Sequence, residues 1–186
     1  IEGDYLEFRL RRYLTFAEFK SELAPHFGLG LEGYATWTSP IRKYSDMVNH
    51  RLIKAVLTQQ ACEKPQDEVL ARLQEARRQN RLVERDIADW LYCRYLADKV
   101  AENVEFDAEV QDVMRGGLRV QLLENGASMF VPASTLHPNK DEMQVNADEL
   151  ALYIQGERRY KIGDLVKVKL TEVREETRSI IGQLII

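Results

Sequence analysis

Glu105-Phe-Asp-Ala-Glu-Val110 is the stretch at which the chain changes period. Before it, apolar residues recur at helical spacing. From about Val104 they alternate, with Phe106, Ala108 and Val110 on one face and acids between them. Alternation of this kind is the mark of a half-buried strand, and the switch from one period to the other marks a domain boundary.

Reading forward, Gly116-Gly117 leads into Leu118, Val120 and Leu122, and Asn125-Gly126 is a hairpin signal. A third strand, Ala127 to Val131, ends at Pro132. A longer, partly helical excursion is expected over Ala133 to Tyr160. Ile162-Gly-Asp164 opens a fourth strand, with Val166, Val168 and Leu170 inward and Lys167 and Lys169 outward. After a turn at Arg174-Glu-Glu-Thr177, a last strand runs from Arg178 to Ile186. Five short strands with the long excursion between the third and fourth predict a small closed β-barrel of the OB type. Such barrels commonly grip single-stranded nucleic acid in a basic groove.

Reading backward, a long helix is expected over roughly Asp67 to Ala101, about 50 Å at ~1.5 Å per residue. Val69, Leu73, Ala76, Val83, Ile87, Trp90 and Leu91 keep its spacing, with Asn80 the polar break. Thr58 to Gln66, containing Lys64-Pro65, reads as a connection. A second helix is expected from Ser39 to about Leu57, its buried stripe made of Ile41, Tyr44, Val48, Leu52, Ala55 and Val56. Thr15-Phe-Ala-Glu18 has the form of a capping box and predicts a short helix ending before Pro25. His26-Phe-Gly-Leu-Gly-Leu-Glu-Gly33 is a glycine-punctuated loop. The fold class expected is therefore α+β.

The start of the Ser39 helix carries the chemistry. Ser39 suits an N-cap and Pro40 a first helical position. Arg42 and Lys43 then fall in the first turn, where the partial positive charge of the helix makes cations misplaced unless an anion sits in front of them. Free N–H groups, the dipole and a guanidinium fork together form a phosphate site; a solvated first turn is the bland alternative. Ser39, Lys43 and Tyr44 flank Arg42 as candidate contacts for such an anion, although Tyr44 also lies on the apolar stripe and reads as core. Asp46 and His50, four apart on one face, could bond to each other or ligate a metal, but no third ligand is evident. His26 and His137 read as loop residues.

Composition narrows the classes without choosing one. The chain has 186 residues, a formal charge of −4 and two cysteines. The length allows one or two domains, and two cysteines fit neither a zinc site nor a disulfide framework, suiting a reducing compartment. No apolar run approaches a membrane span and no signal peptide is visible, so no membrane partner is expected and the cytoplasm is the default. Ile1-Glu-Gly-Asp-Tyr-Leu-Glu-Phe8 lacks an initiator Met and reads as the start of a fragment.

Thr38-Ser-Pro-Ile-Arg-Lys-Tyr-Ser-Asp46 with Asn49-His-Arg51 closely resembles the signature at the end of the catalytic domain of the RNase II family, the RNB-type 3′-to-5′ exoribonucleases. His26-Phe-Gly-Leu-Gly-Leu-Glu32 fits the same family. The β-domain, with Ser179-Ile-Ile-Gly182 as its closing strand, resembles the family's S-one type RNA-binding domain. The bacterial RNase II branch looks closer than its RNase R relatives. The resemblance implies three parts: residues 1–58 from the end of the RNB catalytic domain, a linking helix over 59–102, and the RNA-binding barrel over 103–186. It further implies processive release of nucleoside 5′-monophosphates from single-stranded RNA by an enzyme expected to be monomeric. Magnesium would be held by aspartates upstream of this chain. By motif the catalytic arginine falls on Arg42, and an RNA-end-contacting glutamate falls on Glu84, for which a salt bridge with Arg81 or Arg85 is the alternative. The β-domain departs from the family by reading Arg115-Gly-Gly-Leu-Arg119 and Phe130-Val-Pro132 where surface aromatics and a histidine are usual. That shifts the expectation from base stacking to phosphate contact by Arg115, Arg119, Lys167 and Lys169. The competing reading is a stand-alone RNA-binding or regulatory module without catalysis.

Overall fold

The computed structural model describes residue 10 and residues 13–185. The opening segment read above as a fragment's start lies outside them, as does Ile186 at the end of the expected last strand. The chain divides into two compact units, one over Thr15–Val83 and one built on the residues from Glu84 onward.

In the first unit, helix α1 spans Tyr44–Leu57 and helix α2, Asp67–Ala101, begins. α1 starts later than its sequence suggests. Ser39 to Lys43 form a separate turn, in which the Arg42 and Lys43 N–H groups donate to the Ser39 carbonyl at 3.2 and 2.9 Å. Lys43, extended at φ −120°, ψ 112°, takes the N-cap position and accepts from the Met47 N–H. Ser39 and Pro40 are therefore not the cap and first residue, and the two cations precede the helix instead of occupying its first turn. Asp46 occupies that turn, the favourable sign for a helix N-terminus.

The stripe expected on α1 keeps its spacing but not its burial. Ala55 is buried, Val48 and Leu52 are half-buried, and Ile41, Tyr44 and Val56 are exposed. Among the described residues that face is covered only in part. The short helix expected after Thr15 is also absent, and Thr15–Lys20 has no regular structure. Its backbone and rings are engaged by α2 instead. Gln74 donates to the Ala17 carbonyl at 3.3 Å, and the Arg81 and Arg77 guanidiniums lie 4.9 and 5.8 Å from the Phe16 and Phe19 rings. A helix of so few residues cannot repay its own nucleation, so these contacts decide the segment's path.

α2 has the bounds expected, with Asp67 and Glu68 in its first turn and Lys99 in its last. In the second unit its buried residues are Cys93 and Leu96, which join the core, while Ile87, Trp90, Leu91 and Tyr95 stay exposed.

That unit is a closed five-stranded barrel. Its strands are β1 (Glu105–Met114), β2 (Gly117–Leu122), β3 (Ser128–Pro132), β7 (Leu165–Arg174) and β8 (Ser179–Leu184), neighbours in the order β1-β2-β3-β8-β7. The β3–β8 pair is parallel and the other pairs are antiparallel. The alternation that opened the sequence reading is realised, with Phe106, Ala108 and Val110 buried on β1 against Leu118, Val120 and Leu122 on β2. Gly182 lets β8 close the barrel. A Cβ there would stand 2.5 Å from both the Lys169 carbonyl oxygen and the Met129 sulfur.

The excursion between β3 and β7 is less helical than expected. One helical turn, Ala133–Leu136, is followed by a three-stranded antiparallel sheet of β4 (Met143–Asn146), β5 (Ala151–Ile154) and β6 (Glu157–Lys161). Ala151, Leu152 and Ile154 are all buried. A strand covered on both faces loses its period-two signature, which is why it escapes a pattern reading.

Candidate functional site

Two places carry the candidate residues, one in each unit. In the first, the segment Thr36–Ser39 is laid against the start of α1 by three side chains of one helix face, Asp46, Asn49 and His50. Asn49 Nδ2 donates to the Thr36 carbonyl at 2.9 Å. His50 Nε2 lies 2.8 Å from the Trp37 carbonyl, and since a carbonyl only accepts, that nitrogen carries the proton. Asp46 accepts from the Thr36 hydroxyl, from the Ser39 N–H at 2.9 Å and from the Ser45 hydroxyl at 3.2 Å. Asp46 and His50 thus do not bond to each other; both hold the incoming segment.

Asp46 is the one fully buried charged residue among those described. The Thr36 hydroxyl, then the Ser39 N–H, the Ser45 hydroxyl and the charge of Lys43, hold its carboxyl below the usual carboxylate value against the opposing effect of burial. It is therefore a carboxylate. Ser39 is tied on both sides, its N–H to Asp46 and its carbonyl to Arg42 and Lys43. Arg42, Lys43 and Tyr44 are exposed, Tyr44 at 49%. Among the described residues neither cation is in an ion pair. His26 is not an idle loop residue, since its N–H donates to the Leu31 carbonyl at 2.8 Å and its ring meets Tyr34 edge-on at 5.4 Å.

In the second unit Glu84 is exposed on α2 and forms no ion pair among the described residues. The four basic candidates of the barrel do not form one patch. Arg115, in the β1–β2 turn, and Arg119, opposite Asp112 of β1, lie at one end of β1. Lys169 and Lys167 lie opposite Glu105 and Asp107, at the other end. Seven strand positions separate Glu105 from Asp112, about 20 Å. Lys167 is bonded to Asp107 at 3.0 Å, and that bond raises its pKa. Arg115 and Arg119 form no ion pair among the described residues.

Phe130 lies in the stretch from which base stacking was not expected. It is half-buried on β3, directly opposite Arg119, while its neighbours Met129 and Val131 point inward. The signal was the alternation itself, which places residue 130 outside.

Known proteins match this arrangement. Residues 2–59 match the RNB domain and residues 99–184 the S1 RNA binding domain. Over essentially its whole length the chain is 86% identical to Exoribonuclease 2 of Haemophilus influenzae (strain 86-028NP) and 75% identical to that of Pasteurella multocida. The chain thus carries RNB and S1 domain sequence. It spans 28% of the length of those curated relatives. Among solved structures, RNase R of Mycoplasma genitalium, in its apo form and in complex with ribose methylated single-stranded RNA, superposes with TM-score 0.76 at 24% identity. The match covers 95% of this chain and 28% of the other. The Dss1 exoribonuclease of Candida glabrata superposes at 0.72 with 15% identity, over 97% of this chain and 21% of that one. These likenesses establish the fold.

Among the described residues no three His, Cys, Asp or Glu side chains come together as a metal site. The described residues therefore do not fit the metal ion that the resemblance implies. No helix among them is long and apolar enough to cross a membrane.

Proposed function

We propose that this RNB–S1 chain is part of a processive 3′-to-5′ exoribonuclease that hydrolyses single-stranded RNA to nucleoside 5′-monophosphates. The observation that carries the reading is Arg42, an exposed cation without an ion-pair partner among the described residues, on a turn tied down at Ser39. As a nucleophile attacks phosphorus, charge grows on the non-bridging oxygens. A guanidinium already in place stabilises that charge without reorganising. Lys43 supplies a second cation beside it, and Ser39 and Tyr44 border the same turn as RNA contacts. Glu84, exposed on α2 and in no ion pair among the described residues, is proposed to meet the RNA end.

The proposed division is residues 1–58 as the end of the RNB domain, 59–102 as a linking helix and 103–186 as the RNA-binding barrel. In the barrel, Arg115 and Arg119 are the stronger phosphate contacts. Lys167 and Lys169, facing Asp107 and Glu105, are the weaker. Phe130 beside Arg119 offers a ring on which a base can stack. The family resemblance assigns magnesium to the same reaction, with ligands outside this chain. We place the whole protein in the cytoplasm, acting as a monomer.

The test uses the whole protein and RNA labelled at its 3′-terminal nucleotide. Labelled 5′-monophosphate should appear first while the body shortens stepwise; internal cuts would overturn the reading. The 186-residue chain alone should bind RNA and release no mononucleotide.

A further inference from the structure

We infer that Asp46 is a positioning residue for Arg42, fixing the turn that carries the arginine while leaving its guanidinium without an ion pair among the described residues. The inference rests on the reading of Arg42 as the cation that meets the scissile phosphate. Its basis is a relay of hydrogen bonds through one residue. The Asp46 carboxylate accepts from the Ser39 N–H at 2.9 Å, and the Ser39 carbonyl accepts from the Arg42 and Lys43 N–H groups at 3.2 and 2.9 Å. The Thr36 and Ser45 hydroxyls occupy its other oxygen.

A carboxylate this close in sequence to two cations would ordinarily be expected to neutralise one of them. Here it is fully buried and its acceptor sites are taken by neutral donors, whereas Arg42 and Lys43 are exposed. Asp46 therefore acts on the backbone of the turn and not on the arginine's charge. Asn49 and His50 reinforce it by holding the Thr36 and Trp37 carbonyls. Loss of the Ser39 anchor would free the turn, and a displacement of about 1 Å at a reacting centre costs on the order of 100-fold in rate.

The test is a double-mutant cycle in the whole protein, read as the single-turnover rate constant at saturating single-stranded RNA. RNA affinity is measured in parallel in EDTA. Asp46→Ala should lower the rate constant about 10- to 100-fold, with affinity changed less than about threefold. In an Arg42→Ala background the same substitution should change the rate less than about threefold, because the residue it acts through is gone. Asp46→Asn, which keeps an acceptor for the Ser39 N–H, should lose only a few-fold, and that loss too should vanish without Arg42. If Asp46→Ala does not fold, the Asn variant carries the cycle.

An equal loss in both backgrounds, or a folded Asp46→Ala protein with the parental rate, overturns the inference and leaves the proposed function standing. Full activity of Arg42→Ala alone overturns the reading of Arg42, and the inference with it.

Discussion

In the barrel, Phe106, Val110, Leu118, Val120, Leu122, Met129, Val131 and Val168 are closed off from water, whereas over Thr15–Val83 the buried described residues are Ala55 and Asp46. Both regions show regular apolar spacing in sequence. The difference lies in geometry. A sheet that closes on itself supplies the second surface its inward residues need, and α2 plugs it with Cys93 and Leu96. A lone amphipathic helix supplies only one surface, so Tyr44 and Val56 on α1 remain in water, as does Ile41 in the turn before it. What orders the first unit is polar, namely a carboxylate surrounded by donors, and this is also where Arg42 is held.

Core truncation should expose that contrast most strongly. Leu96→Ala removes a fully buried side chain from the barrel core and should destabilise the second unit by about 2–5 kcal/mol, read by chemical denaturation. Val56→Ala, at a residue 77% exposed, should change stability by less than about 0.5 kcal/mol. Equal costs would break the comparison. A smaller effect separates the two ends of β1. Arg119→Ala should weaken RNA binding several-fold and lower the salt slope of log K by about 1, while Lys167→Ala, already bonded to Asp107, should do less. The reverse order would place the RNA at the other end of the strand.

The smallest effect concerns acid. The folded-state pKa of Asp46 is depressed, so the stability it lends is present above the unfolded carboxylate value of about 3.9 and is lost as pH falls through the folded value. A carboxyl titration followed by NMR should find Asp46 ionised below the pH at which exposed aspartates protonate. Titration with or above them would mean that the Thr36 and Ser39 bonds are not held in solution.

Much of this was legible in the sequence for a physical reason. Phe106, Ala108 and Val110 alternate because the barrel is covered on one face only, and α2 was bounded correctly because its apolar residues sustain helical spacing from Val69 onward. β5 escaped because Ala151, Leu152 and Ile154 are buried without alternation. The helix expected after Thr15 failed because Gln74, Arg77 and Arg81 engage that segment from outside it, information no local motif holds. At the candidate site, Arg42 and Lys43 stood out by charge. The role of Asp46 did not, because its partners Thr36 and Ser39 lie ten and seven residues earlier, and the spacing to His50 pointed the wrong way.

The central claim is that Arg42 meets the scissile phosphate, and single-turnover cleavage by the whole protein carrying Arg42→Ala tests it most directly. The account predicts a loss of about 100- to 1,000-fold in the rate constant at saturating RNA, roughly 3–4 kcal/mol of transition-state stabilisation. An unchanged rate constant, or a defect confined to RNA affinity, would contradict it.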